Sequence, residues 1–218
     1  RYCTMDDDEE AEVKPYVYEG ERAAGDVIEI AEGPTTESVT MLGPRSGAGK
    51  AVFPNGDVFE GSFIAGLRNG QGKYVYSGAP PADEGDEPPP PVATYEGSWK
   101  AGKKVGVGVM KYADKSYYHG SWKNGKRDGQ GTFYYANGDI YSGDWAAGSK
   151  SGFGTYSFKA TQTWLKGNWV NGKCVDGSFT DRYGNAYTGS FGGGDGANVA
   201  YMAGATFLNA SGASILFG

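Results

Sequence analysis

The sequence contains one histidine and two cysteines in 218 residues. With His119 alone there can be no multi-histidine metal site, and no serine or cysteine has a recognisable activating partner. By parity His119 falls on a polar face, as an exposed strand residue. Cys3 and Cys174 are far apart and lack metal-ligand spacing, so a disulfide framework is not expected and a reducing compartment fits. No basic segment leading into an apolar run opens the chain, so no secretory signal is expected. Bases are scarce in residues 1–92, which hold 7 Lys or Arg against 18 Asp or Glu. Acids are scarce in residues 93–218, with 8 against 13 bases. This asymmetry lies behind a net charge of −6 and bears on partner choice more than on fold. The acidic run Asp6 to Glu10 lacks the spacing of a calcium loop and reads as a solvated tail.

What the chain has is glycine and aromatics: 38 Gly, 16 Tyr and 5 Trp. That much glycine without a three-residue period points to strands and turns, with almost no helix. One glycine-rich stretch, "GPRSGAGK" (43–50), looks like a phosphate loop. With Gly49-Lys50 fixed, however, Pro44 stands where the first glycine belongs and Ala51 where Ser or Thr belongs. No nucleotide, and no cofactor of any kind, is expected.

Self-similarity is strong. Tyr95 opens "YEGSWKAGKKVGVGVMKYADKSY", Tyr118 opens "YHGSWKNGKRDGQGTFYYANGDI" and Tyr141 opens "YSGDWAAGSKSGFGTYSFKATQT", 23 residues apart. Counting the tyrosine as zero, glycine recurs at +2, +7, +11 and +13, tryptophan at +4, and large residues at +15 and +17. The frame extends to Phe59 on one side and to Leu165 and Tyr187 on the other. In the Leu165 copy, Asp176 and Ser178 occupy two glycine positions. Gly47 and Gly49 fall at +11 and +13 of a first copy opened by Tyr18, so the apparent phosphate loop reads as that copy's second strand.

Strand parity puts Tyr118, Gly120 and Trp122 on one face, and Gly129, Gly131, Phe133 and Tyr135 with them. Each repeat is then a hairpin closed by "KNGKRD", pairing Trp122 with Gly129, Gly120 with Gly131 and Tyr118 with Phe133. Aromatic rings lie across the cross-strand glycines and compensate their cost in a strand. A three-residue turn with a glycine bulge between repeats sets Tyr135 opposite Tyr141 and Gly131 opposite Trp145. The expected fold is all-β: an elongated, twisted single-layer antiparallel meander of tandem hairpins, with one aromatic and glycine face and one polar face.

The organisation expected is an acidic leader (1–17), a repeat array (18–191) of about six copies and a tail (192–218) with no charged side chain after Asp195. The array is interrupted near 26–43, by a segment able to form a short hairpin, and near 79–92, by the acidic, proline-rich "APPADEGDEPPPPV". The 79–92 insertion reads as a surface loop or as a docking segment for a basic or aromatic partner. The tail reads as a capping hairpin or interface; a membrane span is the weaker reading of its length.

These matched positions resemble the MORN repeat (membrane occupation and recognition nexus). The acidic leader, "YEGER", "GKAVFPNGDVFEGSF" and the uninterrupted repeats are similar to the small MORN proteins of the radial spoke head of motile cilia and flagella; the insertions and the tail depart from them. The resemblance implies a non-catalytic structural subunit, cytoplasmic and axonemal, that assembles with other spoke-head proteins and contributes to motility. Two sets of residues are candidates for contact. The aromatic face carries Tyr95, Trp99, Tyr118, Trp122, Tyr141, Trp145, Trp169 and Tyr187, more than one layer can cover unless the sheet curls or a second copy or partner covers it. The loops carry Lys100, Lys103, Lys104, Lys123, Lys126 and Arg127, a basic stripe suited to an acidic protein surface. The alternative is a membrane-proximal scaffold binding anionic phospholipid through that stripe, a role proposed for the family. Nucleic acid is not expected, since the rings that would stack on bases are committed to packing.

Overall fold

The computed structural model describes residues 17–25, 27–32, 35–40, 42–78, 90–191, 202–208 and 214–216. The expected leader lies outside them but for residue 17, as do most of the proline-rich insertion and much of the tail. Every element described is a β-strand. The first, β1 (Val17–Arg22), is followed by β2 (Val27–Glu32) and β3 (Thr35–Thr40), which pair only with each other. The array then runs β4 (Arg45–Val52), β5 (Val58–Ile64), β6 (Leu67–Tyr76), β7 (Ala93–Lys100), β8 (Lys103–Tyr112), β9 (Tyr117–Lys123) and β10 (Lys126–Tyr134). It continues through β11 (Ile140–Ala146), β12 (Ser149–Phe158), β13 (Thr163–Val170), β14 (Lys173–Thr180), β15 (Ala186–Phe191), β16 (Met202–Leu208) and β17 (Ser214–Leu216).

Apart from the β2–β3 hairpin, each strand pairs antiparallel with its neighbour in one open sheet of 15 strands. At 4.7–4.9 Å per strand it extends about 66–69 Å along its hydrogen-bonding direction. β1 pairs with β4 across the first insertion, Tyr18 opposite Ala51 and Gly20 opposite Gly49. "GPRSGAGK" thus contributes β4, the second strand of a split first repeat, and Lys50 faces Glu19 and Glu60 on the polar side.

One row of glycines fixes the register of the array. Gly97, Gly108, Gly120, Gly131, Gly143 and Gly154 are successive cross-strand partners, and the row continues to Gly20 on one side and Gly189 on the other. The ring of each repeat's leading aromatic lies over it. A Cβ added at Gly131 would come 2.1 Å from the Tyr118 hydroxyl oxygen, and one at Gly154 would come 2.4 Å from that of Tyr141. No side chain larger than hydrogen fits beneath those rings.

Within a repeat the strands join through two residues. Asn124 and Gly125 have φ of 50° and 83°, and Lys123 pairs with Lys126, the geometry of a type I′ turn. This corrects the expected six-residue loop. Trp122 therefore faces Arg127 rather than Gly129, and the register shifts before Gly120 meets Gly131 and Tyr118 meets Phe133 as expected. That bulge carries the cation at +9 onto the aromatic face.

Between repeats, Tyr135 N–H donates to Asp139 O and Gly138 N–H to Tyr135 O, each at 2.9 Å. This is a three-residue loop with a glycine bulge, closed one pair earlier than expected. Phe133, not Tyr135, faces Tyr141, and Gly129, not Gly131, faces Trp145. Parity is unchanged, so the rings stay on one face. The Leu165 copy keeps its glycine row by shortening its bulge: Trp169 faces Cys174 and Gly167 faces Gly177. Gly177 thus replaces the glycine that the strict frame puts at Ser178.

Candidate functional site

The aromatic face is built from the leading ring and the tryptophan of each repeat. They alternate edge to face: Tyr95 on Trp122 at 5.2 Å and 80°, Tyr118 on Trp122 at 5.3 Å and 88°, Tyr118 on Trp145 at 5.2 Å and 80°, Tyr141 on Trp169 at 5.1 Å and 77°. Such T-shaped pairs contribute about 0.5–1.5 kcal/mol each beyond their area. Polar atoms are also satisfied. Tyr118 donates its hydroxyl to Ser121 O at 3.0 Å, and the Trp122 and Trp145 indoles donate to Gly108 O and Gly131 O.

Of the rings expected to face a partner, Tyr95, Tyr118 and Tyr141 are 0 % exposed, and Trp99, Trp122, Trp145 and Trp169 are buried. The chain's own side chains cover them within a single layer. Tyr187 is half-buried and faces Phe179. What remains reachable is an outer tier packed against that core, with Tyr76, Tyr112, Tyr135 and Phe158 among it.

The cover over the tryptophans is cationic. The residue at +9 lies over the rings in four successive repeats: Arg68 is 4.6 Å from the Trp99 centroid, Lys104 4.6 Å from Trp122, Arg127 4.4 Å from Trp145 and Lys150 4.4 Å from Trp169. Lys104 also donates to the Tyr76 hydroxyl at 3.3 Å, and Arg127 to Gly148 O at 2.9 Å. Burial, followed by the charges of Arg68 and Arg127, pushes the Lys104 ammonium down to about 8; burial pushes Lys150 to about 8 as well. None of these four forms an ion pair among the described residues.

Lys104 and Arg127 therefore leave the expected loop stripe. Their face is set by the two-residue turn and the bulge behind it, and they cap tryptophans rather than project at the rim. Lys100, Lys103, Lys123 and Lys126 do stay there, exposed and paired across their turns. Adjacent loops are tied together, Gly125 N–H donating to Lys104 O and Gly148 N–H to Arg127 O, both at 2.9 Å. Ile64 and Leu67, at 59 % and 51 % exposure, flank the equivalent turn one repeat before. Exposed Val170 precedes the turn at the other end.

The opposite rim is organised by buried aspartates, which sequence reasoning missed. Asp139, 8 % exposed, accepts from Asn137 Nδ2 at 2.8 Å, Tyr156 Oη at 2.9 Å and Lys159 N–H at 2.8 Å. Burial pushes its carboxyl upward, but these hydrogen bonds outweigh that and hold it below the usual carboxylate range. Asp57 repeats the motif with Asn55, Tyr74 and Ser77. The signal was available: Asn-Gly-Asp recurs before Val58 and Ile140.

The remaining candidates for chemistry stay apart. His119 is exposed on the polar face, opposite Val109 and Thr132. Burial, then Asp176, pushes the Cys174 thiol up to about 11, the wrong direction for a nucleophile. Among the described residues no cluster of three or more His, Cys, Asp or Glu could hold a metal ion.

Against known families, the MORN repeat matches residues 42–58, 59–78, 95–117, 118–140 and 141–160. The chain carries five MORN repeats. The matched segments coincide with the hairpins above, and the first begins at the second strand of the split repeat. MORN arrays are in general non-catalytic scaffolds that bind proteins or membranes. No curated protein sequence matches the chain. Among solved structures it is similar to the TCP domain of Drosophila melanogaster SAS-4 (dCPAP), determined with a proline-rich motif of Ana2. That likeness has 11 % identity, 88 % of this chain, 90 % of that one and a TM-score of 0.47. The TCP10 domain of Danio rerio CPAP, determined with a STIL peptide, gives 11 % identity, 92 % and 82 % coverage and a TM-score of 0.46. Neither likeness bears on what this MORN array binds.

Proposed function

We propose that the chain is a non-catalytic scaffold subunit that assembles other proteins, and specifically a subunit of the radial spoke head of the ciliary or flagellar axoneme, contributing to motility. The observation that carries the scaffold reading is the file of cations over the aromatic face. Four basic side chains, held in a row with no carboxylate paired to them among the described residues, form a surface for an acidic partner. The spoke-head assignment is supported by the sequence layout: "YEGER" in β1, "GKAVFPNGDVFEGSF" across β4 and β5, then the consecutive repeats. Its partners are other spoke-head subunits, with self-association a further mode of assembly. The test is affinity isolation of the tagged chain from ciliated cells. Recovery of axonemal proteins supports the assignment, and recovery of membrane proteins alone overturns it.

A second reading, a membrane-proximal scaffold on anionic phospholipid, is favoured by one feature: exposed Ile64 and Leu67 share a rim with exposed Lys100, Lys103, Lys123 and Lys126. Basic and apolar side chains at one rim suit a headgroup layer. Co-sedimentation with phosphatidylserine vesicles that is salt-sensitive and is abolished by replacing those four lysines with serine would favour this reading over the axonemal one.

A further inference from the structure

We propose that the aromatic face docks an acidic, proline-rich segment of a partner protein in the polyproline II conformation, with its carboxylates on the cation file and its prolines on the outer rings. This rests on the scaffold reading above and specifies its partner. The period of the cation file selects the ligand. Arg68, Lys104, Arg127 and Lys150 lie in β6, β8, β10 and β12, so two strands separate each from the next, about 9.4–9.8 Å. The insertion between β6 and β7 lengthens the sequence spacing there but not the spacing in the sheet.

A second file runs parallel to the first. Tyr76, Tyr112, Tyr135 and Phe158, eight residues after each cation, are half-buried rings on the same face with the same period. A ligand must therefore present an anion and an apolar group together at about 9.6 Å intervals. Polyproline II repeats every three residues, or about 9.3 Å, and returns the same side to the surface each time. A β-strand returns the same side every two residues, so its third residue points away. An α-helix needs seven residues, about 10.5 Å, and drifts nearly 3 Å over the three intervals. Prolines also suit a tyrosine-lined face, where rings grip a preformed extended helix. The file ends at β14, where Cys174 takes the position opposite Trp169.

The test uses the full chain and a fluorescent (Glu-Pro-Pro)5 peptide, read by anisotropy, beside (Glu-Gly-Gly)5 of equal charge and vesicles containing phosphatidylserine. Binding of the proline peptide that weakens with salt and falls about tenfold or more in Lys104→Met/Lys150→Met supports the proposal. A second variant, Tyr112→Ser/Tyr135→Ser, should lose affinity for the proline peptide while leaving the weaker glycine peptide unchanged. Thermal unfolding of each variant confirms that the fold is retained. Equal binding of the two peptides, an unaffected Lys104→Met/Lys150→Met variant, or vesicle binding in place of peptide binding overturns it. Affinity isolation run in parallel separates the two failures. Partners recovered without peptide binding sink this proposal alone, whereas no recovered protein partner sinks the scaffold reading itself.

Discussion

Alanine at Gly131 is the sharpest probe of how the array holds together. The three atoms nearest an added methyl all belong to Tyr118: Oη at 2.1 Å, Cζ at 2.5 Å and Cε2 at 2.6 Å. Tyr118 is 0 % exposed and is wedged between Trp122 and Trp145, so the ring can yield only by disturbing its neighbours. Overpacking of this kind costs about 1–3 kcal/mol. Pulling the hydroxyl from Ser121 O adds about 1 kcal/mol. A total of about 2–4 kcal/mol corresponds to a fall in melting temperature on the order of 10 °C for a chain of this size. The assay is a double-mutant cycle by urea unfolding. With Tyr118→Leu in the background the methyl meets no ring, and Gly131→Ala should then be neutral or stabilising by about 0.5–1 kcal/mol, the usual gain over glycine in a strand. Gly125→Ala, where nothing lies within 4 Å, should cost only the left-handed backbone's penalty of about 1–2 kcal/mol, whatever residue 118 is. If Gly131→Ala costs the same with and without the Tyr118 ring, the glycine row does not exist to seat the rings.

Three further outcomes follow from the same contacts. Trp122→Phe should cost about 1–3 kcal/mol by chemical denaturation, because Gly108 O loses its indole donor in a buried setting. Asp139→Ala should also destabilise by about 1–3 kcal/mol, since three donors lose one acceptor. Because its folded carboxyl lies below the unfolded value of about 3.9, the stability it contributes is present above that pH and lost as pH falls through the folded value. Asp139→Asn should therefore flatten acid unfolding below about pH 4. Lys104 and Lys150 give a rise with pH as well, but their burial disfavours the charged form and so costs stability at neutral pH. With folded values near 8 against about 10.4 unfolded, the unfolded chain binds more protons between them, so stability rises from pH 8 until unfolded tyrosines titrate near pH 10. Lys104→Met should raise the melting temperature at pH 7 and reduce that rise.

How much of this was legible depended on which signal set the geometry. Face was legible, because the side-chain period of a strand is two and the glycines and rings of each copy fall on one parity. Tyr118 over Gly131 follows once Gly120 is set opposite Gly131. Register at the turns was harder to read, because a shift of two residues preserves parity. A six-residue loop and the two-residue Asn124-Gly125 turn both leave every ring on one face, but the longer loop puts Lys104 and Arg127 at the rim instead of over the tryptophans. The dipeptide carried the information: Asn-Gly is the strongest signal for a two-residue type I′ turn. So did the 23-residue spacing of Lys104, Arg127 and Lys150, since a base kept in phase with the tryptophans has a place relative to them. The burial of the rings within one layer was not legible, because it depends on each tryptophan reaching the tyrosine of the preceding repeat.

That reach across repeats determines where the array is strongest. Trp122 packs on Tyr95 and donates to Gly108 O, both in the repeat before its own. Trp145 does the same to Tyr118 and Gly131. Lys104 and Arg127 lie over the tryptophan of the repeat that follows. Each hairpin thus donates backward through an indole and covers forward through a cation, so nearest-neighbour interfaces rather than single hairpins hold most of the stability. A hairpin from the middle of the array, Tyr118 to Tyr135, would keep Tyr118 and Trp122 but lose Tyr95 and Gly108 behind and Trp145 ahead. It should be unfolded as an isolated peptide by circular dichroism, while a peptide of three consecutive repeats from Tyr95 should fold. A folded single hairpin would show that the stability lies within the repeat and that the interlocking rings are its consequence, not its cause.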